Sequence, residues 1–254
     1  MAARSTATNC LVQKFRAYSD LNETDIELLN ELHVNERPAD RGDIVHQDES
    51  PSTHLYVVKS GWFASVKELC DGGRAITELA LPGDVIGLRD MTYARRLSAL
   101  HCLSNNAVIC PFTKVRLHRL FARSVKLTEV FFAVMSREHA QLVQRLVTVS
   151  RREGIQRLAH LLLETAIRLE GISIDVRREF DFPIDQRELA DLTGMSAVHA
   201  SRCMTELRAR GLIAYSKGRM HILDRQSLQE LAEFDGAFLA PDLDWLHSID
   251  VPAD

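Results

Sequence analysis

Residues 185–215 read DQRELADLTGMSAVHASRCMTELRARGLIAY, and this stretch decides the fold. Asp185 is placed to cap a short helix over Gln186–Leu192, because its carboxylate can accept the free amides of a first turn. Thr193-Gly194-Met195 then reads as a turn, with Gly194 able to enter the left-handed region. Ser196 caps a second helix that runs to about Arg210, where Gly211 ends it. Two short helices joined by a glycine-containing three-residue turn make a helix-turn-helix. Small residues fall where the helices must approach: Ala190 faces the second helix, while Leu189, Met195, Ala200 and Cys203 point inward. Downstream, Ile213–Tyr215 and Met220–Leu223 flank Lys217-Gly218-Arg219 and predict a two-stranded wing.

Helical geometry turns Ala197, Val198, Ser201 and Arg202 to one outer face, at spacings of three and four. A major groove admits a helix on such a face. Arg202 suits a bidentate contact with guanine, and Ala197 and Val198 suit thymine methyls. Ser196, His199, Ser201, Lys217 and Arg219 are placed to hold phosphates. The charge is distributed to match: between Gln186 and Arg219 six cations face three acids, in a 254-residue chain with a net charge of −4. A pair of helices used only for packing would not require that local charge or the wing.

Working outward, the composition excludes other classes. With 46% hydrophobic and 26% charged residues, the chain can bury a core and is not disordered. Its length suits one large or two medium domains. No apolar run reaches a bilayer span, and the first residues lack a signal-peptide core, so a cytoplasmic protein with no membrane contact is expected. Five scattered cysteines without a CxxC pair argue for reduced thiols.

Upstream of the motif the chain changes character twice. Thr24-Asp25-Ile26-Glu27 reads as a capping box that opens a helix through Leu32. Short β-prone segments follow: Ile44–Gln47, Leu55–Lys59, Trp62–Leu69, Ala75–Leu81, Leu97–Leu103 and Ala107–Phe112. Turn residues such as Asp71-Gly72-Gly73 and Pro82-Gly83-Asp84 separate them, so a β-roll or barrel is expected. Alternation within Trp62–Leu69 predicts a more polar face carrying Phe63, Ser65 and Lys67. From about Lys126 the pattern is helical. Met135, His139, Leu142, Leu146 and Val149 recur at a 3.5-residue period, that of a seam that packs against another helix, so the stripe either covers the β-roll of its own chain or pairs with a second copy. Gly154 ends or hinges that helix, and a further helix spans Ile155–Glu170.

A β-roll, a long helix and a winged helix-turn-helix, in that order, resemble the CRP/FNR superfamily of bacterial transcription regulators. The resemblance runs from about Leu21 to Leu239. Its most specific pieces are Leu55–Gly61 (LYVVKSG), Pro82–Gly87 (PGDVIG) and Asp185–Leu212. It implies an α+β chain with a cyclic-nucleotide-binding-like roll (1–124), a dimerisation helix (125–153), a winged helix-turn-helix (154–240) and a C-terminal tail (241–254). It further implies a homodimer joined along Met135–Val149, a palindromic DNA operator and contact with RNA polymerase, and no catalysis. The run Val198–Arg202 looks like the recognition helix of the FNR and FixK branch, with Ala197 and Val198 in place of polar base-readers.

In cyclic-nucleotide-binding relatives a Gly-Glu pair and an Arg-Ser pair hold the ribose and phosphate. Here Gly87 and Arg96 match, but Leu88 replaces the glutamate and Leu97 the serine. Loss of those charge-assisted bonds, roughly 1.5–3 kcal/mol each, makes cyclic AMP a poor fit. Gly87, Leu88, Arg89, Arg95 and Arg96 remain the candidate effector pocket for another ligand. An iron–sulfur cluster needs four thiolates, and Cys10, Cys70, Cys102 and Cys110 would have to converge. Haem on His101 or Cys102 would rest on one ligand, so no cofactor and no metal are expected. The spacing of His33, His46, His54 and His101 does not form a cupin-type metal site. The competing reading is a cyclic-nucleotide or other small-ligand module that regulates a partner protein, which leaves the helix-turn-helix without a purpose.

Overall fold

The computed structural model describes residues 9–177 and 179–240. The tail at 241–254 lies outside the described residues. Helix α1 (Cys10–Arg16) and α2 (Glu23–Glu31) precede strands β1 (Arg37–Ala39), β2 (Ile44–His46), β3 (His54–Ser60), β4 (Phe63–Glu68), β5 (Arg74–Ala80), β6 (Val85–Ile86), β7 (Ala99–Cys102) and β8 (Ala107–Thr113). Then come α3 (Lys114–Arg123), the 27-residue α4 (Val125–Arg151) and α5 (Gly154–Glu170). The C-terminal part holds β9 (Phe180–Asp181), α6 (Gln186–Thr193), α7 (Ala197–Ala209), β10 (Ile213–Ser216), β11 (Arg219–Ile222) and α8 (Arg225–Ala232). The α+β class expected from the sequence is the class observed, and all six expected strands form.

The eight roll strands build two antiparallel sheets, ordered β1-β8-β3-β6 and β2-β7-β4-β5. Tyr56, Val58, Phe63, Leu100 and Ile109 fill the space between them. The outer faces are covered as well. Leu55, Val57, Cys110 and Phe112 of the first sheet pack on α1 to α4. Ala64, Val66, Ile76 and Leu79 of the second pack in one cluster with α5 and the helix-turn-helix. This double covering overturns the polar face expected for β4: Phe63, Ala64, Ser65 and Val66 are all buried, and Ser65 satisfies its hydroxyl by donating to Glu78 at 2.8 Å. A half-solvated sheet alternates; a sheet buried on both sides does not.

The first expected cap also moves. Asn22, not Thr24, caps α2; its side chain accepts from the Asp25 amide at 2.8 Å and Asp25 returns the bond. Both sites carry a capping residue with an acid three positions on, and the earlier one lets Asp25 also accept from Ser124 at 2.9 Å.

Helix α5 is buried over most of its surface, from Ile155 to Leu169. It is the pillar between roll and C-terminal part. Its Arg168 bonds Asp84 at 2.7 Å, and Lys14 of α1 pairs with the same carboxylate. Burial alone would raise the Asp84 pKa, but the two cations outweigh it and hold the carboxyl well below the usual range.

Candidate nucleic-acid interface and sensor cavity

The helix-turn-helix is assembled by its caps. The Asp185 carboxylate accepts from the Glu188 amide at 2.8 Å, and Glu188 accepts from the Asp185 amide at 2.7 Å. Gly194 follows α6 at φ 66°, ψ 35°, left-handed as the turn demands. The Ser196 hydroxyl accepts from the His199 amide at 3.2 Å and opens α7. Ala200, Cys203 and Leu207 face inward and are buried. Ala197, Val198 and Arg202 are exposed on the opposite side, and Ser201 is half-buried beside them. Arg202 has no ion pair among the described residues. The β10–β11 wing closes through Lys217 and Gly218, both with positive φ, leaving Lys217 at the exposed tip.

Two residues of the expected set have other occupations. Arg219 donates to Asp181 at 2.5 Å and Glu179 at 3.3 Å, tying the wing to β9. The His199 ring packs over the start of α5: a Cβ on Gly154 would stand 2.7 Å from His199 Nε2 and 2.7 Å from Met195 Sδ. The bare Gly154 Cα lets the His199 ring and the Met195 side chain close on the start of α5. The end of α4 reaches the same turn, since a Cβ on Gly194 would meet Val149 at 3.3 Å.

The seam of α4 lies open. Met135, His139, Leu142, Leu146 and Val149 are all exposed, Leu146 at 68%. Phe132, 70% exposed and one step back in the same period, extends the stripe. Its position in the 3-4 repeat would have found it.

A cavity of about 250 Å³ lies between the roll and α4, lined by Gly87, Leu88 and Arg89 together with Met135, His139 and Leu142. The sequence-derived pocket is thus split. Arg95 is exposed and donates to the Glu49 carbonyl at 2.8 Å. Arg96 is 2% exposed, donates to the His54 carbonyl and lies 5.4 Å over the Tyr56 ring. Neither lines the cavity. Leu88 is buried, packs with Leu55 and Val57, and offers the cavity an apolar side chain without an acceptor for a ribose. Two acids that sequence reasoning passed over, Glu78 and Glu138, line the cavity. Burial, helped by Glu78, pushes the Glu138 carboxyl up to about 8. Gln141 is 8% exposed and its side-chain nitrogen has no partner among the described residues.

The cysteines are dispersed. Cys110 sits in the core under α1 to α4, where burial raises its thiol to about 11. Cys102 lies between the sheets, Cys203 in the helix-turn-helix core, and Cys70 on the exposed β4–β5 hairpin. Among the described residues no three potential metal ligands are grouped, and no helix is long and apolar enough to cross a membrane.

Family comparisons agree with this geometry. A Crp-like helix-turn-helix domain model matches residues 156–231, and a cyclic nucleotide-binding domain model matches 36–124. The nitrogen fixation regulation protein FixK of Bradyrhizobium diazoefficiens is 30% identical over 198 residues, covering 75% of this chain and 79% of FixK. The chain belongs to the CRP/FNR family of transcription regulators. Another CRP/FNR relative, the transcriptional activator anr of Pseudomonas aeruginosa, is 26% identical over 84% of this chain and 86% of its own. The structure of FixK2 from Bradyrhizobium japonicum shares the fold, with a TM-score of 0.70 at 22% identity, over 78% of this chain and 96% of that one. The chain is accordingly a transcription regulator with a helix-turn-helix DNA-binding domain.

Proposed function

We propose that this regulator acts as a homodimer, joined along α4, that reads a two-fold-symmetric operator with α7 in the major groove. The observation that carries this reading is the bare outer face of α7, where Arg202 stands exposed and free of ion pairs beside Ala197, Val198 and Ser201. Arg202 takes guanine, the two apolar side chains take thymine methyls, and Ser196, Ser201 and Lys217 hold phosphates. His199 and Arg219 serve chiefly by fixing α7 on Gly154 and the wing on β9. The α4 stripe of exposed apolar residues supports self-pairing, because a monomer would leave it wet. Residues 1–124 form the sensor, 125–153 the dimer helix and 154–240 the DNA reader, and RNA polymerase is the expected protein partner in the cytoplasm. The cavity under α4 takes an effector other than a cyclic nucleotide, since Leu88 supplies no acceptor for a ribose and Arg96 does not line the cavity.

Selection from a random-sequence duplex pool tests the reading. The chain enriches a two-fold-symmetric site whose half-sites lie about one helical turn apart, roughly 34–36 Å. Arg202→Ala loses selectivity at one base pair of each half-site. Equal footprints for wild type and Arg202→Ala would remove α7 from the groove.

A further inference from the structure

Helix α6 carries Asp185, Glu188 and Asp191 at spacings of three, on one face. That face meets two arginines of the roll. Arg41, in the β1–β2 turn, donates through Nη1 to the carbonyls of Leu103 and Pro183, each at 2.6 Å. Through Nη2 it donates to Asp185 at 3.1 Å and Glu188 at 2.7 Å, the two members of the α6 capping box. Arg74, at the start of β5, pairs with Asp191 at 2.5 Å. Beneath this ionic rim Trp62 of the roll meets Phe182 edge to face, with centroids 5.7 Å apart.

We propose that Arg41 and Arg74 are positioning residues for DNA reading, clamping α6 to the roll of the same chain so that each recognition helix is held at the spacing its operator requires. The proposal rests on the dimeric-reader reading above. Two physical effects follow from the clamp. Matching two half-sites at once demands a fixed distance between two α7 helices, and any looseness of α6 on the roll must be frozen out on binding. Charge adds to this. Residues 185–219 contain four carboxylates, and the clamp offsets three of them next to the surface that meets phosphates. The Glu188 and Asp191 side chains are only 10% and 14% exposed, so solvent screens these pairs less than surface pairs. Because the apolar contact below persists, losing one arginine loosens the reader without detaching it.

The full chain is compared as wild type, Arg41→Ala, Arg74→Asp, and Arg74→Asp combined with Asp191→Arg. The probe is the duplex enriched by the wild type, and the same duplex with one base pair inserted between half-sites. Each single variant is expected to bind the enriched duplex about tenfold more weakly, and to discriminate less against the insertion. Charge reversal of the Arg74–Asp191 pair restores both properties. In the free protein, amide exchange over 186–193 speeds up in the single variants and returns in the reversed pair. Wild-type affinity and spacing preference in both single variants, or no recovery in the reversed pair, would overturn the clamp. Should the pool yield no two-fold site, the dimeric reading fails, and unchanged exchange over 186–193 would overturn the clamp separately.

Discussion

Leu146→Ala is the sharpest perturbation of the proposed dimer. Leu146 lies at the centre of the exposed arc of α4, between Leu142 and Val149, and is 68% exposed in the single chain. Fully burying a leucine side chain contributes about 1.5–3 kcal/mol, so covering the exposed two-thirds in a self-paired seam contributes roughly 1–2 kcal/mol per copy. A two-fold interface uses each residue twice, which doubles the figure to about 2–4 kcal/mol. Every 1.4 kcal/mol is about tenfold, so the dimer dissociation constant should rise roughly 30- to 1000-fold. Sedimentation velocity over a concentration series reads that shift directly. Leu69→Ala is the control, because Leu69 is 54% exposed but stands on the β4–β5 hairpin, away from α4. If Leu146→Ala sediments as the wild type does, or Leu69→Ala dissociates the dimer equally, the α4 seam is not the dimer contact.

Arg202→Ala should weaken specific duplex binding by about 1–3 kcal/mol with selectivity lost at one base pair, while Lys217→Ala should mainly lower the slope of log affinity against log salt by about one, both read by fluorescence anisotropy. Asp84→Ala strands Lys14 as an unpaired buried cation and leaves Arg168 with only Glu164, at 3.5 Å, and should cost about 3–5 kcal/mol in urea unfolding. His160, enclosed by Phe234 and Phe238, is lowered by burial from 6.5 to about 4. The unfolded imidazole takes up a proton near 6.5 that the folded one refuses until about 4, so stability falls as pH drops through that window, by about 3 kcal/mol at its foot. His160→Leu should flatten that part of the stability–pH curve, and an unaltered curve would exclude the assignment. Isothermal titration with cyclic AMP should give no binding heat, and saturable micromolar binding would return the cavity to the cyclic-nucleotide class.

What could be read in advance follows the range of each interaction. The helix-turn-helix was legible because its determinants are local: Asp185 and Ser196 cap within three residues, and Gly194 alone fits the left-handed turn. The roll strands were legible from turn spacing, but β1, three residues with Pro38 inside, and β6, two residues, carry too little pattern to detect. Helix α3 was missed because Lys114–Arg123 alternates arginines with a thin apolar face. The alternation in β4 misled, since polarity along a strand reports solvent only when one sheet face is wet. The place of Arg96 depends on tertiary contacts: nothing near it in sequence announces that it will donate to the His54 carbonyl and lie over Tyr56. The clamp through Arg41 joins residues 144 positions apart and has no local signature at all.

Hydroxyl-radical footprinting of the full chain on its enriched duplex shows how many copies of α7 lie in the groove and how they are related. A homodimer reading the major groove with two copies of α7 protects two patches on one face of the duplex, related by a two-fold axis and about one helical turn apart. A single asymmetric patch, or protection that does not depend on sequence, would contradict it.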